Sequence, residues 1–454
     1  MTTYYVKNGG NDSSSGLDDS NAWATISKVN SAVSTAGDDV YFKCDNQWDD
    51  EELNIDWGGV DTDNYAIVGA YYGSGTIGVS GNKPILDGNQ NYPAGTPGDI
   101  WVGIIDIWSS YVIVQDIKVL ESRGEGITTQ GVYQDIIIRR CNVEWTGSSG
   151  IIFHTGLTNG LVEDCDVTGV QNNNQTGIVT INSDNITFQN NRSHDHIGGE
   201  CYGAFKGNDT VLIQDNVGWD CPSGGIEITG STNVIVRRNL IYLTDLSSYS
   251  ACIGIMLGDI IGYTTNTNEA YNNLVANCYH GIDLYVVAST TDMTGINVYN
   301  NTVVDCDINF DIGGVSNTPS GNIKNNISWI NEGGGVHTVV NANSNMTYDY
   351  NNWSSTPEVA AQGANDVTSS PLLSKANGWR TLTGDAIVGT EFALTSSSPG
   401  NGQGVDAGSP YDIGINSQNV DFTTDPPTIG TGNHASPPDM GAIPLNIPKV
   451  LIFA

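Results

Sequence analysis

Basic residues are scarce. The 454-residue chain carries 16 Lys and Arg against 50 Asp and Glu, a formal net charge of −34. That balance argues against nucleic acid and anionic membrane as partners, because polyanions are repelled. Charge of either sign is also sparse, at 15% of residues, which excludes a disordered acidic tail. No apolar run approaches the roughly 18 residues of a membrane span. The opening MTTYYVKNGG lacks the basic and apolar regions of a secretory leader. A secreted or extracellular protein with its leader removed, or a virion-associated one released by phage lysis, is expected. The eight cysteines contain no CxxC pair, so zinc is not indicated. A chain this long has no need of a disulfide framework, and the cysteines are expected to be free, buried and effectively apolar.

What is abundant is Gly, Asn, Ser, Thr and Asp interleaved with Val and Ile, the mixture of short strands and turns. A repeat runs through it. The residue closing each "apolar-x-apolar-x-x-N" run falls at Ile117, Cys141, Cys165, Asn191, Asn216, Asn239, Asn273, Asn301, Asn326 and Asn352. Successive positions lie 23–28 residues apart, save one step of 34 after Asn239. Each unit also opens on a "GI"-like strand (GITT, GIIF, GIVT, GIEI, GIML, GIDL) that alternates with period two. So short a unit cannot bury its own apolar face, and neighbours must stack. The fold expected is all-β: a right-handed, single-stranded parallel β-helix of about ten coils, with the Asn column as an internal ladder.

The ends read differently. AWATISKVNSAV places Trp23, Ile26, Val29 and Val33 at helical spacing, an amphipathic cap for the first coil. Residues 1–100 are expected to hold this cap and the first coils, 101–352 the β-helix core, and 353–454 the last coils and an irregular cap ending in ASPPDMGAIP. The long step after Asn239 contains TDLSSYSAC and IIGYTTNTNEA, insertions of the kind that border a groove on a solenoid.

Between Cys141 and Ile323 the only basic residues are Arg192, Lys206, Arg237 and Arg238. Aligning units on their ladder residue turns Gly203 and Phe205 inward with Ile178, Thr180, Ile226 and Ile228. It turns Ala204 and Lys206 outward with Val179, Ile181, Glu227 and Thr229. Extending the columns sets Gln130, His154 and Tyr285 beside Lys206, and Asp283 beside Glu227. A lone exposed lysine is ordinarily just solvated. Its small neighbours Gly203, Ala204 and Gly207, and the crowded SHDHIGGEC loop before it, leave room for something to lie against the strand.

The stretch NRSHDHIGGECYGAFKGNDTVLIQDNVGWDCPSGGIEI resembles the core of the family 9 polysaccharide lyases, β-helical pectate lyases in which an N-x-x-S-x-D turn leads into a GFAxK-like strand. The resemblance implies that Lys206 is the catalytic base and that calcium ligands stand at Asp195 and Glu200. Amides in VQNNNQTG, and Ser223 and Gly224, occupy places where that family has carboxylates. The match covers about forty residues; YYVKNGGNDSSSG, GDDVYFK, PILDGN and PDMGAI resemble the caps of secreted β-helix proteins more widely.

Cleaving a uronate polymer by elimination requires a base for the C5 proton and a neutraliser for the adjoining carboxylate. Lysine can be the base if neutral, and a nearby cation would both favour that form and bind the substrate. Ca²⁺ suits carboxylate and amide oxygens, with Asp195, Glu200 and Asp220 the nearest candidates. His194 and His196 offer a histidine mechanism, with Tyr202 as acid. Arg192, Arg237 and Arg238 either bind substrate carboxylates or decorate the ladder, as Arg139 and Arg140 do in the same column. Glu227, His154 and Tyr285 complete the expected substrate-binding set. The expected partner is an acidic polysaccharide, taken by a monomer, or by a trimer if the chain is a phage tail protein. Rival readings are a non-catalytic carbohydrate-binding adhesin or tailspike module, a uronate epimerase, and a pectinase-type hydrolase whose NTD, DD, GHG and RIK motifs are missing.

Overall fold

The computed structural model describes residues 1–91, 101–172, 174–246, 251–260, 262–285, 293–312, 319–333, 335–340, 345–373, 377, 394, 397–400, 403–404, 413–421 and 428–433. It comprises two compact units, Met1–Ile213 with Val217–Ile228, and Gln214–Asn216 with Thr229–Ala454. Each is a parallel β-solenoid whose coils add one strand in turn to each of three sheets. Third-sheet strands number seven in the first unit and four in the second, about eleven turns in all where ten were expected.

In the first unit the third sheet runs through Leu53–Ile55, Gly103–Ile107, Glu125–Thr129, Ile151–Phe153, Ile178–Ile181, Glu200–Phe205 and Gly224–Thr229. Alternation explains why these segments form strands. In Gln134–Arg139 of the first sheet, Ile136 and Ile138 are buried while their neighbours stay partly exposed. A parallel partner above and below supplies every backbone bond that a single coil lacks.

The Asn column is internal. In the second unit Asn216, Asn239, Asn273, Asn301 and Asn326 each donate both backbone N–H and side-chain Nδ2 to the Oδ1 of the next rung, at 2.9–3.1 Å. The last rung is Asn351 rather than Asn352. In each coil the rung follows a left-handed residue (Asn272, Asn300, Asn325), and in DYNN that residue is Tyr350, at φ 58°. In the first unit Asn191 caps the backbone N–H of Cys165, whose Sγ in turn accepts from Cys141 N.

The N-terminal cap forms as the sequence predicts. The helix Ile26–Ala32 is capped by Thr25, which accepts from Lys28 N at 3.0 Å, and it buries Ile26 and Val29. Asn30 ties it to the first coil, donating to Glu52 O at 2.8 Å and accepting from Asn54 N at 3.1 Å. Six cysteines are free and buried as expected, but Cys201 and Cys221 form a disulfide. Spacing gave no hint of it; the coil brings the strand start at Cys201 against the turn at Cys221. Toward the C-terminus, Val367–Thr368 still pairs with Asn352–Trp353, and Ile413–Asp421 forms an antiparallel hairpin with Thr428–Asn433. ASPPDMGAIP and part of TDLSSYSAC lie outside the described residues. No described helix is long and apolar enough to cross a membrane.

Candidate functional site

Lys206 follows the third-sheet strand Glu200–Phe205 in the first unit. The register pairs Ile178 with Tyr202, Val179 with Gly203, Thr180 with Ala204 and Ile181 with Phe205. This is one residue off the alignment made on the ladder, and it reverses the strand's two faces. Tyr202 and Ala204 point into the coil and are fully buried, while Gly203 and Phe205 face out. The Phe205 ring lies over Gly203, where a Cβ would meet it at 2.6 Å. The slip has a local cause. Ser183 of the preceding coil matches Asn208, which accepts from Ser183 N at 3.0 Å, so Lys206 and Gly207 share the turn that Asn182 makes alone. Gln130 and His154 therefore align with Phe205, one residue short of Lys206.

Lys206 is exposed all the same. It takes the left-handed conformation at φ 59°, as Asn182 does at 46° and Gly156 at 96° in the turns of earlier coils. No carboxylate of the described residues forms an ion pair with its amine.

Glu200 starts the same strand and Glu227 projects from the neighbouring one, Gly224–Thr229, between the inward Ile226 and Ile228. Both carboxyls are half-buried. Burial raises Glu200, against the Thr176 hydroxyl that donates to its Oε2 at 2.9 Å. Burial and then the Glu200 carboxylate push Glu227 up to about 8. Two like charges so close disfavour joint ionisation, and each carboxyl is held toward its protonated form.

The other expected residues are committed elsewhere. Tyr202 lies in the core, its hydroxyl within bonding distance of Asn191 O and Val217 O at 2.9 and 2.7 Å, out of reach of any ligand on the outer face. His194 is stacked on Trp219 at 3.9 Å and held between Asp166 Oδ1 at 2.9 Å and Asp195 Oδ2 at 2.7 Å. Burial lowers its pKa and those two carboxylates more than offset this, raising it, while both ring nitrogens are taken up by carboxylates rather than left free. Arg192 completes the cluster on Asp166 at 2.9 Å. His196 is buried beside the Ser193 hydroxyl, and desolvation lowers it to about 3, so it stays neutral. In the second unit Arg238 forms a two-pronged pair with Asp215, and Arg237 binds Gln214 and the Tyr271 hydroxyl. This is the ladder-decoration alternative, as with Arg140 on Asp116. Tyr285, also in the second unit, is exposed after the strand His280–Leu284.

The three expected calcium ligands do not converge. Asp195 belongs to the His194 cluster, Glu200 to the Glu227 pair, and Asp220 is buried in the left-handed turn after Val217–Trp219. Among the described residues the group whose ligand atoms do meet is His280, Asp283 and Asp311 of the second unit, with His280 Nδ1 at 2.9 and 3.4 Å from the two carboxylates. The residues expected to hold calcium therefore do not fit it as a set.

Sequence reasoning missed a further constellation on the third sheet of the first unit. Glu125, fully buried, receives His154 Nε2 at 2.9 Å, and the Trp101 ring meets His154 edge-on at 5.8 Å. Asp106 lies on the preceding strand; burial, then the nearby Glu52 and Glu125, push it up to about 8. Only His154 stood in a repeat column that could have flagged it.

The class this architecture defines is the right-handed parallel β-helix. A family model described as "Right handed beta helix region" matches residues 134–308. No curated protein matches the chain. Solved structures similar to it include the pectate lyase Pel9A (TM-score 0.53, 15% identity, 98% of this chain and 97% of that one). XylC in complex with xylose gives a TM-score of 0.56 at 12% identity, over 82% of this chain and 87% of that one. The PL6 family alginate lyase AlyGC gives 0.54 at 12% identity, over 87% and 57%. At these identities the likeness is one of fold.

Proposed function

We propose that the protein is a polysaccharide lyase acting on an acidic, uronate-containing polymer, of the family 9 type around the Lys206 coil. The observation that carries this reading is an exposed lysine, without an ion pair among the described residues, at the end of the strand that opens on Glu200 and beside the strand that carries Glu227. In a chain with so few cations, such an amine stands ready for a substrate.

The polymer lies against the outer face of the third sheet, on the Phe205 ring that covers Gly203. The Lys206 amine, in its neutral form, takes the C5 proton and becomes an ammonium; the electron pair left behind forms the C4–C5 double bond as the C4–O bond breaks, and the departing oxygen takes a proton from solvent. The Glu200–Glu227 pair, held toward protonation by burial and by mutual repulsion, donates a hydrogen bond to the substrate carboxylate, the neutralising role for which calcium was expected. Since Asp195, Glu200 and Asp220 do not converge, no step is routed through a metal. The Cys201–Cys221 disulfide pins the strand that carries Glu200 and Lys206, and it suits an oxidising, extracellular setting.

The test is incubation with pectate, alginate, glucuronan and a glycosaminoglycan, followed by ultraviolet absorbance of unsaturated products. Absorbance with one polymer supports the reading. Reducing ends without absorbance indicate hydrolysis, an altered C5 configuration without cleavage indicates epimerisation, and binding without product indicates an adhesin or tailspike module; each overturns it.

A further inference from the structure

The first unit carries a second feature on the outer face of the third sheet, beginning four coils before Lys206. Register aligns Ile107, Thr129 and Phe153, so the residues that follow them, Trp108, Gln130 and His154, stand side by side on successive coils. With Trp101 they line an open cavity of about 480 Å³. Both indoles face solvent, Trp101 with 55% of its surface exposed and Trp108 with 37%.

One polar atom here lacks a partner: Gln130 Nε2 is buried without a hydrogen bond. Asp106, two positions before Trp108 on the same face, is engaged by Gly103 N, from which its Oδ1 accepts at 2.7 Å, and by the neighbouring Glu52. A buried amide donor left unpaired is costly, by about 1–3 kcal/mol, unless something else completes it. Exposed indole faces beside an unpaired donor match what a pyranose offers: an apolar face of C–H bonds ringed by hydroxyls. A protein partner would call for a broader apolar patch than these two rings.

We propose that this cavity is a saccharide-binding subsite, in which Trp101 and Trp108 stack on a pyranose ring of the polysaccharide and Gln130 Nε2 donates to one of its hydroxyls. Glu125 is a positioning residue, holding His154 through its Nε2 so that the ring stands against Trp101. The subsite lies roughly 10–20 Å along the unit from Lys206, at about 4.8 Å per coil. It extends the proposed function, gripping the chain several sugar residues away from the bond that breaks.

The test uses the full chain and hexasaccharides of galacturonate, mannuronate, glucuronate and xylose, titrated by calorimetry into wild type, Trp108→Ala, Trp108→Phe and Gln130→Ala. At least one hexasaccharide should bind wild type. Trp108→Ala should weaken it at least tenfold and Gln130→Ala at least threefold, while Trp108→Phe stays within threefold, at unchanged melting temperatures. With polymer as substrate, Trp108→Ala should raise KM with kcat within twofold. Saccharide binding that depends on Trp108 without any product leaves the subsite standing and removes the lyase reading. Product formation with KM unmoved by Trp108→Ala does the reverse. Wild type that binds none of the four, or Trp108→Ala that binds as wild type does, overturns the subsite.

Discussion

Replacing Lys206 by Asn separates a catalytic lysine from a merely solvated one, because the two roles move stability and turnover in different directions. The lysine sits at φ 59° in a turn that Asn182 makes at 46° one coil earlier. Left-handed backbone costs an ordinary L-residue about 1–2 kcal/mol, and Asn considerably less. The side chain is exposed and forms no ion pair among the described residues, so no packing is lost with it. Lys206→Asn should therefore leave stability unchanged or raise it by up to about 1 kcal/mol. Turnover, by contrast, should fall by at least about 100-fold, the usual scale for removing a general base. Thermal unfolding followed by circular dichroism gives the first quantity, and initial rates on the preferred polymer give the second. A variant that is clearly less stable would refute the left-handed-strain argument. One that is as stable and as fast as wild type would return Lys206 to the class of solvated lysines.

The remaining expectations concern charge, covalent ties and the ladder. Glu227 and Asp106 have folded pKa values raised to about 8, and His194 and His280 are also raised, so the folded state holds protons that the unfolded state releases. Stability supplied by such groups is fully present below the unfolded pKa and lost as pH rises through the folded one; melting temperature should fall between about pH 4 and pH 8, and Glu227→Gln with Asp106→Asn should flatten that fall. Exhaustive dialysis against EDTA should leave turnover within twofold, and a loss that calcium restores would give the neutralising role back to a metal. Cys201 and Cys221 are 20 residues apart, so the Cys201→Ser, Cys221→Ser double variant should lose roughly 3 kcal/mol in chemical denaturation. Asn273→Ala strips partners from Asn239 N, Asn239 Nδ2 and Val236 O in the core, and should cost about 2–4 kcal/mol.

How much of this was legible in the sequence depended on whether a feature repeats. The solenoid and its Asn column could be read because period and polarity recur coil after coil; even the Asn352 rung missed only by one position, where Tyr350 takes the left-handed place usually held by Asn. The helix cap was legible from Ile26 and Val29 at helical spacing. Side-chain direction at the site was not, because one additional residue in the Lys206–Gly207 turn shifts the strand against its ladder, and a shift of one exchanges its faces. Gly203, Ala204 and Phe205 were assigned to the wrong sides for this reason alone. The pairing of the Glu200 and Glu227 carboxyls, the Cys201–Cys221 bridge and the Trp101–His154 contact join residues from different coils or turns. Their proximity is set by stacking, and no local pattern carries it.

The most direct measurement of the central claim is product analysis by mass spectrometry after digestion of the preferred acidic polysaccharide, run in parallel with wild type and Lys206→Asn. Elimination predicts oligosaccharides bearing an unsaturated non-reducing uronate, one water lighter than hydrolysis products, formed by wild type and almost absent with the variant. Saturated fragments from wild type, or equal yields of unsaturated fragments from both proteins, would contradict it.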